Sequence, residues 1–101
     1  MKMSIETNEM NKYVADTIRV LAHGARVQIV EILAKRSMCV TEIIKQLKLS
    51  SSDTSRHLAI MKRAGIVLSR RDGVHVMYAL AMPFTMEFIK GVRRQIRKRF
   101  I

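Results

Sequence analysis

Apolar residues recur along the first part of the chain at intervals of three and four. Met10, Val14, Ile18 and Leu21 take this spacing over residues 9–22, and Ile29, Val30, Leu33 and Ala34 take it again within HGARVQIVEILAKR. Such spacing lines one face of an α-helix. His23-Gly24 interrupts the chain between the two runs, and Ser37-Met38-Cys39 reads as a short connection. VTEIIKQL predicts a brief third helix with Ile43, Ile44 and Leu47 inward. Ser50 followed by Asp53 has the form of a capping box and opens a fourth helix, SSSDTSRHLAIMKRAG. Leu58, Met61 and Ala64 face its core side, and Gly65 is the residue type that ends a helix.

After Gly65 the period drops to two. IVLSRR and VHVMYAL flank Asp72-Gly73, a strong hairpin signal, and Val74, Val76, Tyr78 and Leu80 alternate with His75, Met77 and Ala79. Pro83 suits the first turn of a last helix over 83–98, with Met86, Ile89, Val92 and Ile96 as its stripe. Residues 1–8 are polar and aperiodic, and fraying is expected there. The predicted order is α-α-α-α-β-β-α: a mainly α chain with a small β-hairpin, forming one domain over 1–101.

Charge narrows the partners. Nineteen Lys and Arg against eight Asp and Glu give a net +11. A small basic domain faces nucleic acid, an anionic membrane or an acidic protein. No apolar run approaches a bilayer span and MKMSIETNEM has no signal-peptide character, so no membrane partner and a cytoplasmic location are expected. One cysteine makes no internal disulfide. No nucleophile–base pair, paired carboxylates, phosphate-cradling loop or HExxH motif is present, so no enzyme, no catalytic residue and no cofactor are expected.

Two short helices joined by a tight turn and followed by a hairpin make a winged helix-turn-helix. The major groove of B-DNA, about 12 Å wide, admits one helix, and the preceding helix braces it with its N-terminus near phosphate. Small and polar side chains early in the fourth helix, Ser51, Ser52, Ser55 and Arg56, are the candidates for base edges. Thr41 at the third helix and Lys62 late in the fourth are placed toward phosphate, and Arg70, Arg71 and His75 surround the wing tip.

These segments carry a resemblance. LAHGARVQIVEIL resembles the second helix of the ArsR/SmtB family of repressors, and CVTEIIKQLKLSSSDTSRHLAIMKRAGIVLSRRDGVHVMYAL is similar to that family's helix-turn-helix and wing, over roughly residues 18–81 in all. The resemblance implies a homodimer joined through its first and last helices, here through Met10, Val14, Ile18, Phe84, Phe88 and Val92. It also implies repression from an operator in double-stranded DNA, relieved by an inducer that the residues do not identify, and adds His57 to the base-reading positions. Many relatives sense metals through Cys-Val-Cys in the third helix. Cys39-Val40-Thr41 stands there, and the last helix has no His, Asp or Cys, so no metal site is expected.

Several residues keep two readings. His57 either touches DNA or packs, hydrogen-bonded, behind the helix. His23 caps or precedes the second helix. Cys39 is either a small connector or a thiol made redox-reactive by a helix N-terminus and the nearby Lys35 and Arg36. The basic tail, Lys90, Arg93, Arg94, Arg97, Lys98 and Arg99, is a solvated face, an auxiliary phosphate contact or the binding surface of a protein-interaction module for an acidic partner.

Overall fold

A computed structural model of the chain describes residues 6–100. The helices are α1 (Thr7–Leu21), α2 (Gly24–Lys35), α3 (Val40–Leu47), α4 (Ser51–Arg63) and α5 (Phe84–Phe100), and the strands are β1 (Met38–Cys39), β2 (Val67–Asp72) and β3 (His75–Leu80). The predicted winged helix-turn-helix is present with one addition. Met38–Cys39, expected as a connection, is a strand that pairs antiparallel with β3, Met38 opposite Tyr78 and Cys39 opposite Met77, so the sheet order is β1-β3-β2. Helix α1 begins at Thr7, so the fraying expected over 1–8 does not hold for residues 7 and 8, while residues 1–5 lie outside the described part. No described helix is long and apolar enough to cross a membrane.

Helix α2 is the centre of the packing, touching α1, α3, α4, α5 and β3. Ile29, Val30, Ile43, Leu58, Met61 and Ile66 are fully buried. The α2 stripe is displaced from its predicted place: Ile32 is buried while Ala34 is exposed. Lining the core with these aliphatic side chains gains about 1.5–3 kcal/mol for each one fully buried.

The ends of α4 follow from local chemistry. Ser50 Oγ accepts the Asp53 N–H at 3.0 Å. At the other end the Gly65 N–H bonds to the Lys62 carbonyl and the Ile66 N–H to the Met61 carbonyl, each at 3.0 Å, a Schellman closure with Gly65 at φ +81°. The wing turn is shifted by one residue from the predicted Asp72-Gly73. Asp72 pairs with His75, so Gly73-Val74 makes the turn. Gly73 has φ +64° and Val74 does not share it, which is the type II′ pattern of φ angles.

One joint has a residue the local sequence does not favour. Lys48, between α3 and α4, adopts φ 59° and ψ 35°, and its N–H bonds to the Ile44 carbonyl at 3.0 Å. The left-handed conformation costs an L-residue about 1–2 kcal/mol, against about 0.5–1 kcal/mol of extra chain entropy that a glycine surrenders on folding. Lys48→Gly therefore stabilises the fold by about 0.5–1 kcal/mol, read as a higher urea midpoint at unchanged slope. An unchanged or lower midpoint contradicts this account of the turn.

Candidate nucleic-acid interface

Helix α4 has two faces set by its own spacing. Thr54, His57, Leu58 and Met61, at i, i+3, i+4 and i+7, are buried. Ser51, Ser52, Ser55, Arg56, Ala59, Lys62 and Arg63 are exposed. The predicted readers Ser51, Ser52, Ser55 and Arg56 thus share one solvent face, with Lys62 farther along it. Ala59, absent from the candidates that residue type suggested, joins them. Its methyl is suited to the thymine 5-methyl, and the recurrence 52, 55, 56, 59 is the signal that places it.

His57 is the correction. Its side chain is 4% exposed, and Nδ1 accepts the Arg26 Nε–H at 3.0 Å. The ring points into the packing and does not reach a base edge from there. Its place in the 54-57-58-61 row was legible in the sequence, whereas its partner, 31 residues away on α2, was not. His23 caps α2, its Nδ1 accepting the Ala25 N–H at 3.2 Å, and lies edge-on to the His57 ring at 4.5 Å.

Arg56 forms an ion pair with Asp53 at 3.1 Å, with both side chains well exposed. Such a pair is worth about 0–1 kcal/mol. A bidentate guanine contact is worth about 1–3 kcal/mol, so the ion pair does not hold Arg56 back from DNA.

The wing separates its two arginines. Arg70 lies opposite Met77 and Arg71 opposite Val76. Neighbouring residues on a strand point to opposite faces. Arg71 therefore shares the sheet face of Val67, Tyr78 and Leu80, which pack on the core, and Arg70 shares the outer face with His75. Both arginines, His75 and Val74 at the turn are exposed.

Thr41 is exposed in the first turn of α3, and its Oγ1 lies 3.1 Å from Cys39 Sγ. Cys39 is the N-cap residue, and its Sγ also contacts Glu42 Oε1 at 3.7 Å. The Thr41 hydroxyl, followed by the Glu42 backbone N–H, holds the thiol below its ordinary pKa, while desolvation and the Glu42 charge oppose this. The basic neighbours expected to act are not the cause, because Arg36 is engaged by Glu42 at 3.0 Å. Among the described residues, no three His, Cys, Asp or Glu side chains gather to hold a metal ion.

Two apolar rows remain uncovered. Met10, Val14 and Ile18 on α1, and Phe84, Phe88, Val92, Ile96 and Phe100 on α5, are all exposed. Val14, Ile18, Leu21, Met82, Phe84 and Phe88 line a groove of about 350 Å³ where α1 and α5 meet. On α5, Arg93 pairs with Glu31 of α2 and Lys90 with Glu87, so part of the basic tail is engaged within the chain.

A family model described as "Bacterial regulatory protein, arsR family" matches residues 23–69. The uncharacterized HTH-type transcriptional regulator Rv0081 of Mycobacterium tuberculosis is 34% identical over 95 residues, covering 93% of this chain and 83% of that protein. Its crystal structure superposes with a TM-score of 0.74 over 94% of this chain and 93% of that one. The transcriptional activator HlyU of Vibrio cholerae is 32% identical over 93 residues, covering 91% of this chain and 86% of that protein. A structure of HlyU gives a TM-score of 0.77 over 90% of this chain and 97% of that one. The homodimeric winged helix-turn-helix DNA-binding domain of Mb0332 from Mycobacterium bovis, at 23% identity, matches with a TM-score of 0.80 over 97% of this chain and 93% of that one, a likeness of fold alone.

Proposed function

From the premise that this chain belongs to the ArsR family of bacterial regulatory proteins and is a DNA-binding transcriptional regulator, we propose that it is a homodimeric cytoplasmic repressor whose α4 reads a pseudo-palindromic operator. The observation that carries the reading is the exposed row Ser51, Ser52, Ser55, Arg56 and Ala59 on a helix whose other face is locked into the core. Short side chains let the helix axis approach the base edges, and one long arginine reaches past them. Thr41, Lys62, Arg70, Arg71 and His75 hold the phosphates around those bases.

Dimerisation uses the α1 and α5 rows. The α5 row lies at 84, 88, 92, 96 and 100, each four residues from the last, which is an i±4n ridge. Two such ridges interdigitate with the helices crossing at about −50°. A two-fold axis through this interface repeats the reading helix, and operator symmetry follows.

Repression requires only occupancy of the promoter, so a dimer that reads an operator needs no further surface to act. The activator HlyU shares the same architecture, and the sign of regulation therefore needs its own test. The test is selection of bound sequences from random duplexes of about 30 base pairs, followed by transcription in vitro from a promoter carrying the selected site. A two-fold symmetric consensus with transcription lowered by the protein supports the proposal. Enrichment of no sequence removes operator reading, and raised transcription makes the protein an activator. A protein-interaction module for an acidic partner is not favoured, because the family is one of DNA-binding regulators.

A further inference from the structure

The side chain of Arg26 joins three helices. Its Nε donates to His57 Nδ1 on α4 at 3.0 Å, and its Nη1 donates to the Val20 carbonyl on α1 at 3.2 Å. Arg26 itself stands in the first turn of α2. Val20 belongs to the last turn of α1, where carbonyls lack helical partners and take donors from elsewhere. His57 directly follows Arg56 in the chain, so the bond that fixes His57 also fixes the rotation of α4 that aims Arg56 outward.

We propose that Arg26 and His57 form a strut that sets the reading helix against the dimerisation helix, making Arg26 a positioning residue for operator recognition and the strut sensitive to protonation of His57. The proposal rests on the reading of α1 and α4 given above.

The chemistry of the bond fixes its sensitivity. Arginine is a donor only, so His57 Nδ1 is unprotonated and the neutral ring carries its hydrogen on Nε2. Protonation at Nδ1 sets a second N–H against the guanidinium. The bond is then broken and two cations are left side by side. The charged and titratable groups around the ring are His23 and Arg26 from α2 and Arg56 and Asp53 from α4, and only Asp53 favours the imidazolium. Burial, then His23, Arg26 and Arg56, hold the His57 pKa below the ordinary histidine value. The folded state thus favours the neutral ring. Its contribution to stability is complete above the unfolded pKa and is lost as pH falls through the folded one.

Releasing the strut removes the fixed alignment of α4 to α1 while Leu58 and Met61 keep its core face buried. Base contacts need fixed geometry, whereas phosphate contacts tolerate displacement, so operator affinity falls while affinity for scrambled DNA is retained.

The experiment measures affinity for the selected duplex and for a scrambled duplex from about pH 7.5 to about pH 5.5, for wild type, Arg26→Lys and His57→Asn. Taking the ratio of the two affinities removes changes common to both DNAs. The wild-type ratio is expected to fall about ten-fold on acidification, equivalent to losing one bidentate hydrogen-bonded base. Arg26→Lys, which supplies one ammonium where a fork bridged two acceptors, lowers the ratio about ten-fold already at pH 7.5 while sedimenting as wild type. His57→Asn keeps an acceptor oxygen near the position of Nδ1 and does not titrate, so it retains the ratio and loses its pH dependence.

A wild-type ratio that stays flat while imidazole nitrogen NMR shows His57 protonating overturns the strut and needs no variant to show it. So does a folded Arg26→Lys protein with the wild-type ratio and pH profile. Imidazole nitrogen NMR gives a test independent of DNA: a neutral His57 with its hydrogen on Nδ1 also overturns the proposal. A wild-type protein without preference for the selected duplex at pH 7.5 overturns the reading of α4 itself, and the strut with it.

Discussion

Replacing Phe88 with aspartate separates the two subunits and lowers operator affinity at least about 100-fold, the lower end of what linking two binding units contributes. Phe88 lines the groove between α1 and α5, is 39% exposed in the single chain and lies outside the fully buried core. In the proposed dimer its ring is one knob of the α5 ridge. In that dimer a carboxylate there is set against the apolar row of the partner, and burying a charge among apolar side chains costs several kcal/mol. Losing the ring costs the dimer a further contribution below the about 1.5–3 kcal/mol of full burial, because only its exposed part is left for a partner to cover. Each monomer still carries one complete reading helix and wing, so binding to a half-site and to random DNA persists. Sedimentation at micromolar concentration separates the outcomes. Wild type runs at about twice 11.6 kDa and the variant at 11.6 kDa. Ile18→Asp, on the facing wall of the same groove, behaves alike. A variant that remains dimeric and binds the operator as wild type does places the interface elsewhere. A monomeric wild type removes two-fold recognition altogether.

Arg56→Ala and Arg71→Ala fail in different ways. Arg56 stands on the proposed reading face with only an exposed ion pair to Asp53 to give up, and a guanidinium there can take guanine O6 and N7 together. Its loss costs about 1–3 kcal/mol on the operator and much less on random DNA, so specificity drops. Arg71 stands on the wing, for which the proposed partner is phosphate or a narrow minor groove. Its loss weakens both DNAs evenly and reduces the salt slope by about one unit for each phosphate that a subunit no longer neutralises. Arg70, on the opposite face of the same strand, provides the comparison. Because both arginines are proposed to hold phosphate, Arg70→Ala is expected to lower the slope as well. Affinities for both DNAs at several salt concentrations decide the matter. An Arg56→Ala protein that binds as wild type does misplaces the reading surface, and an Arg71→Ala protein that loses specificity alone makes the wing a reader.

The sequence by itself determined whatever depends on neighbours along the chain. The Ser50 cap, the closure of α4 at Gly65 and the hairpin around Gly73 each complete their hydrogen bonds within a few residues, so residue types there specify geometry directly. Helical spacing likewise assigned Leu58 and Met61 to the core and Ser51, Ser52, Ser55 and Arg56 to the solvent. The one-residue shift of the turn shows where such signals stop. Asp72-Gly73 and Gly73-Val74 are both acceptable to glycine, and the pairing of Asp72 with His75 decides between them. Other features required partners distant in sequence. Met38–Cys39 is a strand because Tyr78 and Met77 lie beside it, and nothing in two residues announces a ladder. Lys48 takes a left-handed turn because α3 and α4 must both pack on α2 across that joint, and tertiary packing outweighs an unfavourable backbone angle. His57 sits inside because Arg26, brought to it by the crossing of α2 and α4, satisfies its nitrogen. A buried polar group needs a partner, and only the fold decides which distant side chain arrives to supply it.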